Sequence, residues 1–382
     1  MTETKLPDIT ILADVVDNYG DIGVAWRLCR NILKSSSQNI RLVTNNLKAF
    51  HNINNQIDSA LPFQESKCEN GTIKVYDWID YDFCYKTFTE NPPEVILEMF
   101  QCGQPDWLEK ILFEDRVSYK VHIIMIDYLS AEPWIDDFHC LKSLTRTALV
   151  PKVNFMPGFT KKTGGLLLNK NFPIDSKQHE KNHNNNCQFS QVLFFAYKRD
   201  WSPVIRAMNR IFTSETTVKV AGGAGHDSIL NACKNENAVF KTEKLPFMNQ
   251  NEWDQNMGAM DFMIIRGEDS MAQGCLSGIP FIWQAYPQQN DFQEVKVAAL
   301  LERMKPHFGK EFIYVHNAWN EMNKYQSSAV NPELENAVYD FLANIDSLKP
   351  GFQSFALSLR SNGDFAENLM TFIEKNIKIE KH

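Results

Sequence analysis

The sequence predicts an α/β protein of two doubly wound, Rossmann-like domains, and three observations carry that expectation. Short apolar runs alternate with helical or polar stretches along both halves of the chain, the signature of parallel strands joined by crossover helices. A polar stretch over 173–188, rich in Asn and without periodicity, separates the halves. The 382-residue length suits two domains, each large enough for its own core.

Taken in order, the runs at 9–16, 40–44, 73–76, 95–100, 122–126 and 153–156 read as strands of the first domain. Val24, Leu28 and Ile32 begin a helical stripe just after the first of them. In the second half the runs at 192–195, 217–220, 239–240, 262–265 and 280–283 repeat the pattern. The expected boundaries are a first domain over 1–172, a linker over 173–188 and a second domain over 189–351, the two domains facing one another across a cleft. Over 352–382, Phe355, Leu359, Phe365, Leu369 and Ile373 supply the apolar faces of a helix expected to pack back on the first domain.

Composition excludes several classes. With 43% hydrophobic and 23% charged residues the chain is an ordinary globular protein. No apolar run reaches the roughly 18 to 20 residues of a bilayer span, and the polar start MTETKLPD lacks the regions of a signal peptide, so a cytoplasmic protein with no membrane partner is expected. A formal net charge of −8 argues against a general nucleic-acid binder and suits a cationic target. The eight cysteines are scattered with no C-x-x-C pair and read as reduced, mostly buried side chains.

Two turns stand out. Asp17-Asn18-Tyr19-Gly20-Asp21-Ile22-Gly23 lies between the first strand and the first helix, where ligands of open α/β sheets sit. Asp, Asn and Gly also suit caps and tight turns, yet two acids and two glycines within seven residues exceed that need. Arg266-Gly267-Glu268-Asp269-Ser270 follows the strand at 262–265 and opens a short helix, whose unpaired N–H groups could receive a diphosphate with the Ser270 hydroxyl beside them. Here too Asp269 and Ser270 are good caps, but an arginine and two acids at one turn ask for more. Phe195, Tyr197, Phe247, Gln250, Trp253 and Tyr286 fall around strand ends of the same half, where rings stack on a base and an amide reads its edge.

Other signals carry less. His179-Glu180-Lys181-Asn182-His183 matches a zinc-protease pattern but runs into Asn184-Asn185-Asn186 with no apolar face to hold the ligands. Asp80-Tyr81-Asp82 resembles a metal-holding acid pair and fits a surface turn better. Gly222-Gly223-Ala224-Gly225 follows a strand without a full dinucleotide or Walker pattern. No Ser or Cys sits in a nucleophile elbow.

Five motifs in order, V-V-D-N-Y-G-D-I-G-V-A-W-R-L at 15–28, Y-L-S-A-E-P-W at 128–134, P-G-F-T-K-K-T-G-G-L-L at 157–167, R-G-E-D-S at 266–270, and P-F-I-W with Y-P-Q at 280–288, strongly resemble the bacterial protein-arginine rhamnosyltransferases that modify elongation factor P. The resemblance implies a GT-B fold, an inverting mechanism that uses no metal, dTDP-β-L-rhamnose as donor, and one arginine of elongation factor P as acceptor, whose modification relieves ribosomes stalled at proline runs. On that resemblance Asp17, Asp21 and Glu268 match the family's essential acids. Asp269 and Ser270 fall at its diphosphate site with Tyr197 and Tyr286 nearby, and Phe195, Gln250 and Trp253 fall at its thymine pocket. Asn18, Tyr19, Gly20, Gly23, Phe247, Arg266 and Gly267 complete the expected substrate-binding set. Trp253 stands where some relatives carry Phe, and Ala13-Asp14 and the Gly222 to Gly225 turn look unusual for the family.

The residues support a division of labour, with Asp17 gripping a guanidinium and Asp21 taking its proton. Glu268 is expected to orient the donor or brace the acceptor. Two other readings stay open on the sequence: a GT-B enzyme with another nucleotide sugar and acceptor, and a non-catalytic nucleotide-sugar binding protein.

Overall fold

The computed structural model describes residues 8–16, 19–35, 39–115, 117–169, 172, 188–324 and 331–377, so Asp17, Asn18, the H-E-x-x-H segment and nearly all of the expected linker lie outside the described residues. The chain forms two units, Met1–Leu167 with Asn362–His382 and Leu168–Ser361.

The first unit runs β1 (Ile9–Ala13), α1 (Gly20–Ser35), β2 (Asn39–Thr44), α2 (Leu47–Ile53), β3 (Phe63–Cys68), β4 (Gly71–Asp77), α3 (Tyr81–Glu90) and β5 (Val95–Met99). There follow α4 (Asp106–Glu109, prolonged by a π turn over Lys110–Glu114), β6 (His122–Ile126), α5 (Trp134–Phe138), β7 (Lys142–Ser143) and β8 (Lys152–Asn154). Its sheet has the order β3-β4-β2-β1-β5-β6-β8-β7. All neighbours are parallel except the outer pairs β3–β4 and β7–β8. Central strands read as continuous apolar runs because helices cover both faces, and all five residues of β1 and of β5 are buried. The chain passes from β1 toward β2 on one side and resumes at β5 on the other, which places a topological switch point between β1 and β5.

The second unit repeats the plan with β9 (Gln191–Phe194), α6 (Ser202–Asn209), β10 (Thr217–Ala221), α7 (His226–Asn235), β11 (Lys241–Leu245), α8 (Gln250–Gly258) and β12 (Phe262–Arg266). Next come α9 (Glu268–Ser277), β13 (Phe281–Gln284), α10 (Phe292–Met304), α11 (Phe312–Asn323), α12 (Pro332–Ala343) and α13 (Ile345–Arg360). The order β11-β10-β9-β12-β13 is wholly parallel and puts its switch point between β9 and β12.

Two expectations need correction. The tail is two helices, and the first of them, α13, belongs to the second unit, whereas α14 (Phe365–Asn376) belongs to the first. Gly363 takes φ +87° there, and Asp364 caps the new helix by accepting from the N–H of Ala366 and of Glu367. Phe365, Leu369 and Ile373 then join the core that holds Ile22, Leu28 and Ile32, each burial being favourable by about 1.5–3 kcal/mol. The strand expected at 239–240 lies instead at the polar Lys241–Leu245, where an edge position leaves four of five residues exposed and demands no apolar face. The edge strands β3, with three of six residues exposed, and β7, with both exposed, carry no strong apolar alternation and leave no mark in the sequence. Among the described residues no helix is long and apolar enough to cross a membrane.

Candidate functional sites at two switch points

In the first unit, β1 ends at Ala13, earlier than the apolar run suggests, because the next residues turn toward side chains. The Val15 N–H donates to the Asn45 side chain at 2.8 Å, and the other end of that amide donates to Asp14. Tyr19 is exposed at the entry to α1, its hydroxyl accepting from the Asn52 amide at 3.0 Å. Gly20 and Gly23 lie inside α1 with helical backbone, not in a left-handed turn, and the Gly23 N–H donates to the Tyr19 carbonyl at 3.0 Å.

Asp21 occupies the first turn of α1, where the helix dipole favours a carboxylate. It is only 2% exposed. A buried carboxylate needs hydrogen-bond donors, and here the Val16 N–H reaches Oδ2 at 2.9 Å while the Tyr128 hydroxyl reaches Oδ1 at 3.1 Å. Tyr128 follows β6 and opens the Y-L-S-A-E-P-W motif, yet no chemical role for it was legible. Nothing in its local spacing points to a residue 107 positions upstream; the available signal was its place after a strand of the same sheet.

In the second unit the expected residues gather at the carboxyl ends of β9 and β12. The Arg266 guanidinium lies 4.5 Å from the Phe195 ring centre and 4.4 Å from that of Tyr197, within cation–π range of both. Its Nε is buried and has no hydrogen-bond partner among the described residues. Phe195 also meets Trp253 edge-on at 5.0 Å, and Tyr197 meets Tyr286 edge-on at 5.3 Å. Gln284, at the end of β13, accepts from the Tyr197 N–H at 2.7 Å and so fixes that turn.

The glycine turn after β10 now has a physical explanation. Gly223 has φ +122°, and a Cβ there would come within 2.6 Å of Arg266 Nη2, while one at Gly225 would come within 2.2 Å of the Ala196 carbonyl. These glycines let the β10 turn lie against the β9 turn and the arginine.

Gly267, with φ +77°, is the N-cap of α9 and makes no side-chain cap bond, so Asp269 and Ser270 sit inside the first turn and not at the cap. Ser270 is buried, and Glu268 pairs with Lys296 at 2.9 Å. Gln250 begins α8, buried, behind a capping box made by Asn249 and Glu252, and Phe247 just before it is 64% exposed. Asp80 is a structural residue, capping α3 by accepting from the Phe83 N–H. Among the described residues no group of three or more His, Cys, Asp or Glu could hold a metal ion. Burial pushes the thiols of Cys84 and Cys102 up to about 12, which leaves them poor nucleophiles.

Two doubly wound units, each with its polar cluster at a switch point, have the architecture of the GT-B fold. The fold matches solved structures accordingly. One, described as the structural basis for EarP-mediated arginine glycosylation of translation elongation factor EF-P, gives a TM-score of 0.59 at 15% identity, covering 96% of this chain and 99% of that one. MurG of Acinetobacter baumannii gives 0.50 at 11% identity, covering 97% and 100%. The family described as Elongation-Factor P (EF-P) rhamnosyltransferase EarP matches residues 9–374, and the chain belongs to it. A protein-arginine rhamnosyltransferase of Shewanella oneidensis is 26% identical over 400 residues, with 96% of this chain and 97% of the relative covered.

Proposed function

We propose that this protein transfers L-rhamnose from dTDP-β-L-rhamnose to one arginine side chain of elongation factor P, inverting the anomeric centre and using no metal ion. The family membership supports the reaction class and the acceptor. The observation that carries the chemistry is Asp21, a buried carboxylate in the first turn of α1 with a donor on each oxygen.

The acceptor poses a specific problem. A guanidinium has a pKa above roughly 12, so it arrives charged and its nitrogens are poor nucleophiles. A carboxylate of pKa around 4 cannot deprotonate it in advance. Proton loss therefore accompanies attack: the N–C1 bond forms, the bond from C1 to the phosphate oxygen breaks, the nitrogen's proton passes to Asp21, and dTDP leaves with the bonding pair. Asp17 would grip the planar cation by charge-assisted hydrogen bonds while this happens. In the second unit the N-terminal turn of α9 and the Arg266 guanidinium would take the diphosphate. Ser270 adds its hydroxyl. Lys296 offsets the charge of Glu268, so a phosphate approaching that turn meets a compensated acid. Phe195 and Trp253 would flank a thymine ring, with Gln250 at its edge.

Intact-mass measurement of purified elongation factor P, incubated with this protein and dTDP-rhamnose, tests the reading. Addition of one deoxyhexose to a single arginine is expected. A factor modified only from another nucleotide sugar would move the protein to a different transferase activity, and donor binding without turnover over hours would make it a sensor.

A further inference from the structure

We propose that Tyr128 is a positioning residue for the Asp21 carboxylate, held in place by two turns that are clipped to one another. The inference rests on the reading of Asp21 as the base.

Phe100 and Gln101, directly after β5, take φ of +57° and +56°. Consecutive left-handed residues of this size are strained and persist only where their surroundings over-determine them. The surroundings do so here. The Phe100 N–H donates to the Ile126 carbonyl at 2.6 Å, and the Gln101 amide donates to Asp127 Oδ2 at 2.6 Å. Asp127 Oδ1 in turn accepts from the Tyr128 N–H at 2.8 Å. The same carboxylate thus ties the end of β5 to the end of β6.

The strained turn has a definite product. It lays the Phe100 ring parallel to the Tyr128 ring, with centroids 4.4 Å apart and planes 17° apart, which fixes the phenol's direction. Its hydroxyl then donates to Asp21 Oδ1 at 3.1 Å, opposite the Val16 N–H on Oδ2. Two donors on two oxygens set the plane of the carboxylate. The stacking needs only a ring; the hydroxyl serves Asp21. Other titratable groups on these turns have partners of their own: Asp14 is held by Asn45, Tyr19 bonds Asn52, and Asp127 bonds Gln101.

Tyr128→Phe separates the two roles, because it keeps the stacked ring and deletes the hydroxyl. With wild-type transfer to elongation factor P as the reference, turnover is expected to fall roughly ten-fold or more, the scale of one hydrogen bond to a charged group. Donor affinity should stay unchanged. The fall should appear in kcat with the KM for the acceptor protein unchanged, since the hydroxyl orients the base and does not touch the acceptor. Asp127→Asn, which removes one of the two acceptors shared by Gln101 and the Tyr128 N–H while keeping the phenol, should lower kcat the same way by less. Wild-type turnover in Tyr128→Phe would overturn the proposal, and so would a loss carried by KM or by donor affinity with kcat unchanged. Absence of transfer by the wild-type enzyme would instead refute the underlying reading of the function.

Discussion

The turns after β1 and β12 hold the same place in their sheets and carry different polar groups. Both lie at a switch point, and both open a helix whose first turn holds acids. At the first, a buried carboxylate is satisfied by protein donors, one from the backbone and one from Tyr128. At the second, a guanidinium lies against two rings, and its Nε has no partner among the described residues. The difference teaches that topology fixes where a ligand can bind while the turn residues fix its charge. On the proposed reading, the first turn would meet the arginine acceptor and the second the nucleotide-diphosphate donor.

Substitutions can break that contrast. The largest effect is expected from Asp21→Asn, which should lose turnover by two or more orders of magnitude in a mass-based transfer assay, the scale of a general base. Turnover within a few-fold of wild type would remove Asp21 from the chemistry. Arg266→Met should weaken dTDP binding roughly 10- to 100-fold by titration, as loss of a charge-assisted hydrogen bond implies, and unchanged affinity would show that the guanidinium does not meet the diphosphate. Trp253→Ala should weaken dTDP by about ten-fold through lost base stacking, whereas an equal loss for rhamnose 1-phosphate would place the ring away from the base. Smallest of these, Gly223→Ala puts a Cβ within 2.6 Å of the Arg266 guanidinium at a φ of +122°. A loss of a few-fold in dTDP affinity is expected, together with a lower melting temperature, since such strain costs of order 1–3 kcal/mol.

Much of this was legible in the sequence where local rules decide. Central strands such as β1, β5 and β12 are buried on both faces and therefore announce themselves as apolar runs. The turns around Asp21 and Arg266 showed themselves by holding more charge than a cap needs. Edge strands β3 and β11 did not, because one neighbour and one exposed face impose no apolar pattern. The break at Gly363-Asp364 was masked by apolar residues on both sides of it. Tyr128 was the principal miss: its role comes from the pairing of β5 with β6 and a strained turn between them and α1, a long-range arrangement that spacing does not encode.

The division of labour between the two turns is tested most directly by titrating dTDP-rhamnose into the Asp21→Asn protein. If the carboxylate acts on the acceptor, the donor should bind with wild-type affinity although transfer is lost. Loss of donor binding together with transfer would assign Asp21 to the donor site and contradict the separation of acid from cation on which the proposed mechanism stands.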